Sequence, residues 1–124
     1  MNANVFIATT GNGLARASRS ADNEWRVEFL IADQDVRCLV SDPLNPQVIY
    51  AGTQGSGVLR SDDRGRRWRP AGLDGHIVKS LAVSRAEPGA MYAGTKPALV
   101  FVSRDDGAHW TDLEAFRRIR SRRL

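Results

Sequence analysis

Residues 36–68 read VRCLVSDPLNPQVIYAGTQGSGVLRSDDRGRRW, and residues 78–110 read VKSLAVSRAEPGAMYAGTKPALVFVSRDDGAHW. The two segments align without a gap at an offset of 42, and twelve of their 33 positions are identical. The identities include Tyr50/Tyr92 through Thr53/Thr95, then Ser61/Ser103, Asp63/Asp105, Gly65/Gly107 and Trp68/Trp110. An older copy precedes them. Residues 5–25, VFIATTGNGLARASRSADNEW, end at Trp25, which lies 43 positions before Trp68. It has one extra residue between Gly13 and Trp25 and lacks an opening strand.

Each unit reads as four short strands. In the second copy these are 36–41, 48–53, 57–61 and 68–72. They are separated by Asp42-Pro43 with Asn45-Pro46, by Gln54-Gly55-Ser56 and by Asp63-Arg64-Gly65. These are turn residues, and Pro and Gly fall between the apolar runs as strands require. A four-stranded unit repeating every 40 to 50 residues is the signature of a propeller blade. No segment of ten residues within a repeat has helical period, which disfavours a βα solenoid. The expected fold is all-β, with about three four-stranded antiparallel blades and an incomplete ring. The blades cover about 1–31, 36–73 and 78–115 within a unit spanning 1–116, followed by a basic tail, 117–124. Four blades of this length exceed 124 residues, so a closed ring within the chain is excluded.

Ser61-Asp62-Asp63-Arg64-Gly65-Arg66-Arg67-Trp68 and Ser103-Arg104-Asp105-Asp106-Gly107-Ala108-His109-Trp110 share the pattern Ser-x-Asp-x-Gly-x-x-Trp. Ser and Asp side chains bond loop backbone that no strand satisfies, Gly takes positive φ without steric cost, and Trp buries a large ring beneath the turn. With these boxes the chain resembles the Asp-box (BNR) repeat propellers, a group that includes sialidases, sortilin-like receptor domains, xyloglucanase-like glycosidases and photosystem assembly factors. The resemblance covers about 105 of the 124 residues. It assigns Ser61, Asp63, Gly65, Trp68, Ser103, Asp105, Gly107 and Trp110 a structural role. The first copy departs from the pattern, with Ser20 in the Asp place and Asp22 in the Gly place. That turn is expected to be reshaped.

Asp62 with Asp63 and Asp105 with Asp106 imitate acid–base pairs, but sequence neighbours on a strand point apart. They read as turn carboxylates. The run Arg64-Gly65-Arg66-Arg67-Trp68-Arg69 imitates a basic patch with a stacking ring, yet its Trp is committed to the turn. In a meander, alternate connections emerge on one face. The boxes therefore share a face with 42–47 and 84–89. The opposite face carries 11–13, 54–56, 96–97 and the connections 32–35 and 74–77. In the family, ligands usually sit over the central channel. That makes Asp33, Gln34, Asp35, Gln54, Asp74, His76 and Lys96 the candidate ligand face. His76 and His109 fall on opposite faces and cannot share a metal. No catalytic residue, cofactor or metal site is expected. The family's sialidase constellation is missing, and Tyr50 and Tyr92 read as packing residues. Cys38, the only cysteine, lies in an opening strand and reads as buried and inert.

Composition bounds the rest. The net charge is +4, but residues 117–124 hold five arginines, and without them 13 basic residues face 14 acidic ones. The tail reads as a solvated end, and nucleic-acid binding is not expected, since binding domains carry the basic stripe on their folded surface. Thr111-Asp112-Leu113-Glu114 reads either as a capping box opening a helix or as the run-in to another blade. No apolar run approaches the roughly 20 residues that span a bilayer, so no membrane partner is expected. The start lacks a secretory pattern, which with the single cysteine points to the cytoplasm. The function expected is a non-catalytic binding segment, truncated from a longer propeller, whose ligand is a carbohydrate or a protein. The alternative is a fragment of a glycosidase- or sialidase-like hydrolase with its catalytic residues elsewhere. The expected partners are the missing blades of a parent chain or a second copy forming a homodimer.

Overall fold

The computed structural model describes residues 5–123, with side chains to Ile119. Among these residues the elements are β1 (Val5–Thr9), β2 (Leu14–Arg19), β3 (Trp25–Leu30), β4 (Val36–Asp42), β5 (Asn45–Thr53), β6 (Val58–Ser61), β7 (Arg69–Pro70), β8 (Ile77–Val83), β9 (Met91–Lys96), β10 (Val100–Ser103), β11 (Thr111–Asp112) and α1 (Glu114–Arg123). The strands form three antiparallel meanders: β1-β2-β3, β4-β5-β6-β7 and β8-β9-β10-β11. The chain is all-β apart from α1, and the first sheet has three strands where the others have four.

Alternation along each strand sends one row of side chains to each neighbouring sheet. On β4, Leu39 joins Leu14, Val36, Ala51 and Leu59 between sheets one and two, with Ile7 and Leu30 packed against them. Cys38 and Val40 face the other way, onto Tyr50, Val58, Val78, Met91 and Ala93 between sheets two and three. The opening strands β4 and β8 both carry a bulge, at Arg37 and at Lys79. The extra residue points a charged side chain outward and shifts the alternation by one, so that Val36 and Leu39 face the same neighbouring sheet.

The outer strands are shorter than the sequence suggests. Residues 68–72 read as one strand, but β7 is Arg69–Pro70. Trp68 turns beneath the preceding loop, and Pro70 brings no N–H to the ladder. Beyond it the pairing continues outside the strand: Ala71 N–H donates to Val58 O at 2.7 Å, and Val58 N–H donates to Gly72 O at 2.9 Å.

The C-terminal segment is a helix, but the capping box does not form. Thr111 lies in β11, and its hydroxyl turns back to Val102 O at 3.5 Å. The helix opens instead at Leu113, whose carbonyl accepts from the Phe116 and Arg117 amides. The Arg117 guanidinium binds the Asp112 carboxylate. The side chains of Arg120, Arg122 and Arg123 in the basic tail lie outside the described residues.

Candidate functional site

The box turns are built from side chain to backbone. Ser61 Oγ donates to Asp63 Oδ1 at 2.8 Å and accepts the Gly65 amide at 2.8 Å. Asp63 Oδ1 then accepts the Arg66 and Arg67 amides at 3.1 and 2.9 Å. The Trp68 indole N–H donates to Gly65 O at 2.8 Å. Forty-two residues later most of these bonds recur, the Ala108 amide turning to the Asp105 carbonyl instead of its carboxylate. Ser103 Oγ donates to Asp105 Oδ1 at 2.9 Å, and the amides of Gly107 and His109 close the turn at 2.8 and 2.9 Å. Ser61 and Ser103 are buried, and Gly65 and Gly107 have φ of 91° and 87°. These turns consume the hydrogen-bonding capacity of both serines, as structural carboxylate turns do.

The electrostatics follow from those bonds. Partial burial pushes the Asp63 carboxyl up, but the Arg67 amide, the Ser61 hydroxyl and the Arg66 amide outweigh it and hold the group below its usual range. Asp105 falls to about 2, chiefly because the His109 ring bonds it at 2.7 Å, with the His109 amide and Ser103 hydroxyl adding to the effect. Asp62 is not part of a carboxylate pair. It binds Arg60 at 2.9 Å and Arg69 at 3.1 Å, and the Arg60 contact leads in holding it ionised.

Each box also reaches into the preceding sheet, a role the sequence reading missed. The left-handed residues Arg64 (φ 60°) and Asp106 (φ 59°) each offer a carbonyl backwards. Arg16 Nε on β2 donates to Arg64 O at 2.9 Å. The Tyr50 hydroxyl on β5 donates to Asp106 O at 3.4 Å and accepts from Arg60 Nη1 at 2.7 Å. The Trp110 indole N–H is shared between Gly107 O at 3.1 Å and Ala71 O at 2.9 Å, the latter in the preceding sheet's outer strand region. A Cβ on Gly65 would strike Ile7, and one on Gly107 would press on Ala71. The box is thus a clasp between sheets as well as a turn. Trp68 and Trp110 are half-buried rather than fully enclosed.

At the first copy the turn is reshaped. Ser20 Oγ binds the Asp22 carboxylate and Glu24 O, and Asn23 takes φ of 71°. The Asp22 carboxyl is held below its usual range, first by the Ser20 bond. Trp25 is 46 % exposed and stacks against Phe6 at 5.6 Å.

The candidate ligand face is drawn together by backbone bonds. Gly13 N–H donates to Gln34 O, Gln54 N–H to Asp35 O at 2.9 Å, Gly57 N–H to His76 O at 3.3 Å and Gly75 N–H to Gly55 O at 3.1 Å. Asp33, Gln54, Asp74 and Lys96 are exposed there. Gln34, Asp35 and His76 are half-buried, Asp35 pairs with Arg37 at 3.4 Å, and the His76 ring meets Phe101 edge-on at 5.1 Å. His76 therefore serves as a packing residue as well as a loop residue. The box turns bond the other set of loops, Arg64 N–H to Gln47 O and Asp106 N–H to Gly89 O. A repeated threonine also escaped the sequence reading. Thr10, Thr53 and Thr95 each donate an amide to the carbonyl that closes the next turn, at Gly13, Gly57 and Leu99. Their recurrence in the aligned copies was the signal that would have found them.

Cys38 is half-buried rather than buried, and desolvation raises its thiol pKa despite the Gly52 amide. Tyr50 is buried, whereas Tyr92 is 37 % exposed at the outer surface of the third sheet. Among the described residues no group of three His, Cys, Asp or Glu side chains is placed to hold a metal, and no helix is long and apolar enough to cross a membrane. No protein-family model matches the chain, and a search of curated proteins finds no match.

Proposed function

We propose that the chain is a non-catalytic segment of an Asp-box propeller that acts in protein or ligand binding, with its ring completed by further blades of a parent chain or by a second copy. One observation carries this reading: the box clasp recurs at the same place in successive sheets, so that each sheet is shaped to receive another. The outer face of the first sheet supports it. Phe6, Val27 and Phe29 there are 64, 54 and 74 % exposed, next to Trp25. A contiguous apolar surface of this kind calls for a partner. The loops carrying Asp33–Asp35, Gln54, Asp74–His76 and Lys96 then form the ligand-facing end.

Light scattering of the purified chain, with an apolar dye as second probe, tests the proposal. A discrete species of twice the 13.7 kDa chain mass, or a dye-binding monomer or aggregate, supports it. A monodisperse monomer that binds no dye overturns the need for further blades. Turnover of an aryl glycoside by the pure chain overturns the non-catalytic assignment.

A further inference from the structure

A cavity of about 330 Å³ lies between the β2–β3 hairpin and the box turn of sheet two. Arg19 of β2 and Arg26 of β3 line one side of it, and Arg66 of the box lines the other. Among the described residues none of these three guanidiniums forms an ion pair, whereas Arg16, Arg60, Arg69 and Arg104 each hold a carboxylate. Arg19 lies instead over the Trp25 ring, 5.6 Å from its centroid. Glu24 is the one carboxylate on the wall, since Asp22 is bound to the Ser20 hydroxyl and does not line the cavity. Like charges gathered about one cavity repel until a counter-charge enters. The same junction between sheets two and three is balanced. Its cavity, about 370 Å³, sets Arg60 and Arg69 against Asp105 and Asp106, and Asp62 binds both arginines. In the aligned boxes Ala108 stands where Arg66 stands. The turn therefore needs no guanidinium at that position to fold; Arg66 serves it through its amide, bonded to Asp63.

We propose that the cavity between sheets one and two binds a phosphate monoester of a small hydroxylated compound, of the sugar phosphate type. Three guanidiniums against one carboxylate leave two positive charges on the wall. A phosphorylated hydroxyl carries about −1.5 to −2 at neutral pH, which matches them. Guanidinium forks suit phosphate oxygens in geometry as well as charge. The volume falls at the small end of ligand cavities, about 300–1,000 Å³, which admits a small molecule. Glu24 decides between an ester and the free ion. Its carboxylate repels a bare anion but accepts hydrogen bonds from hydroxyl groups, and the half-buried Ser18 adds a hydroxyl of its own to the wall. Both walls lie within the described residues, at the end of the sheets opposite the candidate ligand loops. The site therefore stands apart from the proposed function and survives if the propeller reading fails.

The test is calorimetric titration of the whole chain with glucose 6-phosphate, with glucose and inorganic phosphate as the comparison probes. Glucose 6-phosphate is expected to bind at one saturable site, inorganic phosphate several-fold more weakly and glucose not at all. Arg66→Ala is expected to weaken glucose 6-phosphate about tenfold or more, the effect of removing a charged hydrogen-bonding partner. Its circular dichroism and thermal midpoint are expected to stay unchanged, because alanine already fills that position in the third box. Arg26→Ala is expected to weaken binding to a similar degree. Glu24→Gln is expected to narrow the gap between the ester and inorganic phosphate. Arg85→Ala removes an exposed arginine in the 84–89 loop, outside the cavity, and is expected to change nothing. No saturable binding overturns the proposal, as does unchanged affinity in both Arg66→Ala and Arg26→Ala. An equal loss in Arg85→Ala also overturns it, since net charge alone then explains the binding. Inorganic phosphate bound as tightly as glucose 6-phosphate overturns the ester assignment.

Discussion

The turn at Ser20–Glu24 and the turn at Asp62–Trp68 join equivalent strands by different means. The first is a five-residue hairpin loop that carries the β2–β3 pairing out to Arg19 opposite Trp25. The second interrupts the pairing after Arg60 opposite Arg69 and spends seven residues on a compact loop. The short loop satisfies itself and leaves its Trp 46 % exposed. The longer loop lies against Ile7 of the preceding sheet and offers it a carbonyl. A hairpin between these strands therefore needs no box. What the Gly and Trp of the box add is contact with the neighbouring sheet.

That comparison breaks or sharpens under mutation. The largest contrast is expected between the tryptophans. Trp110→Ala removes a packed ring and a shared indole bond and should destabilise by about 2–4 kcal/mol, while Trp25→Ala should cost under about 1 kcal/mol. Equal costs in urea unfolding would remove the distinction. Gly65→Ala should cost about 2 kcal/mol, combining strain at positive φ with intrusion on Ile7. Pairing it with Ile7→Ala separates the two causes, since the smaller neighbour recovers only the second. Ser103→Ala should cost about 1–2 kcal/mol, because the buried Gly107 amide loses its acceptor. The serine of the first turn, Ser20, lies in solvent, and Ser20→Ala should cost less.

The smallest effect expected is on pH dependence, since Asp105 is exposed and screened. Its folded pKa of about 2 lies below the unfolded value, so its contribution is fully present above about pH 4. It is lost as pH falls from about 3.8 towards 2. Asp105→Asn should flatten the acid limb of thermal stability measured across that window, and an unchanged limb would show that the His109 and Ser103 bonds carry no linkage.

The strands and both boxes were legible because their causes are local. Proline and glycine mark the connections, and the Ser, Asp and Gly of each box bond within eight residues of one another. The altered first turn was legible for the same reason, from Ser20 and Asp22 alone. The clasp was not, because its acceptors are the carbonyls of Arg64 and Asp106, and a carbonyl leaves no mark on residue identity. Its donors, Arg16 and Tyr50, are unlike residues performing one task, which hides them from alignment. The helix start stayed open because Thr111 and Asp112 satisfy a capping pattern and a strand equally well, and pairing with β10 decides between them. Meander logic set 11–13, 32–35, 54–56 and 74–77 at one end, where backbone bonds join them, yet the packing of His76 on Phe101 depended on a register that spacing does not carry.

The clasps also give the stack a direction in time. Arg16 is secured by Arg64, and Tyr50 by Asp106, so the first two sheets are each locked by residues made after them. A chain emerging from the ribosome N-terminus first releases the strands of sheet one before Arg64 can secure Arg16. During that interval the apolar face that sheet one turns towards sheet two, with Leu14 and Ile7, lies open. A pause while only the residues before Arg64 have emerged would prolong the exposure, whereas a pause after Trp68 has emerged would leave the first lock already closed.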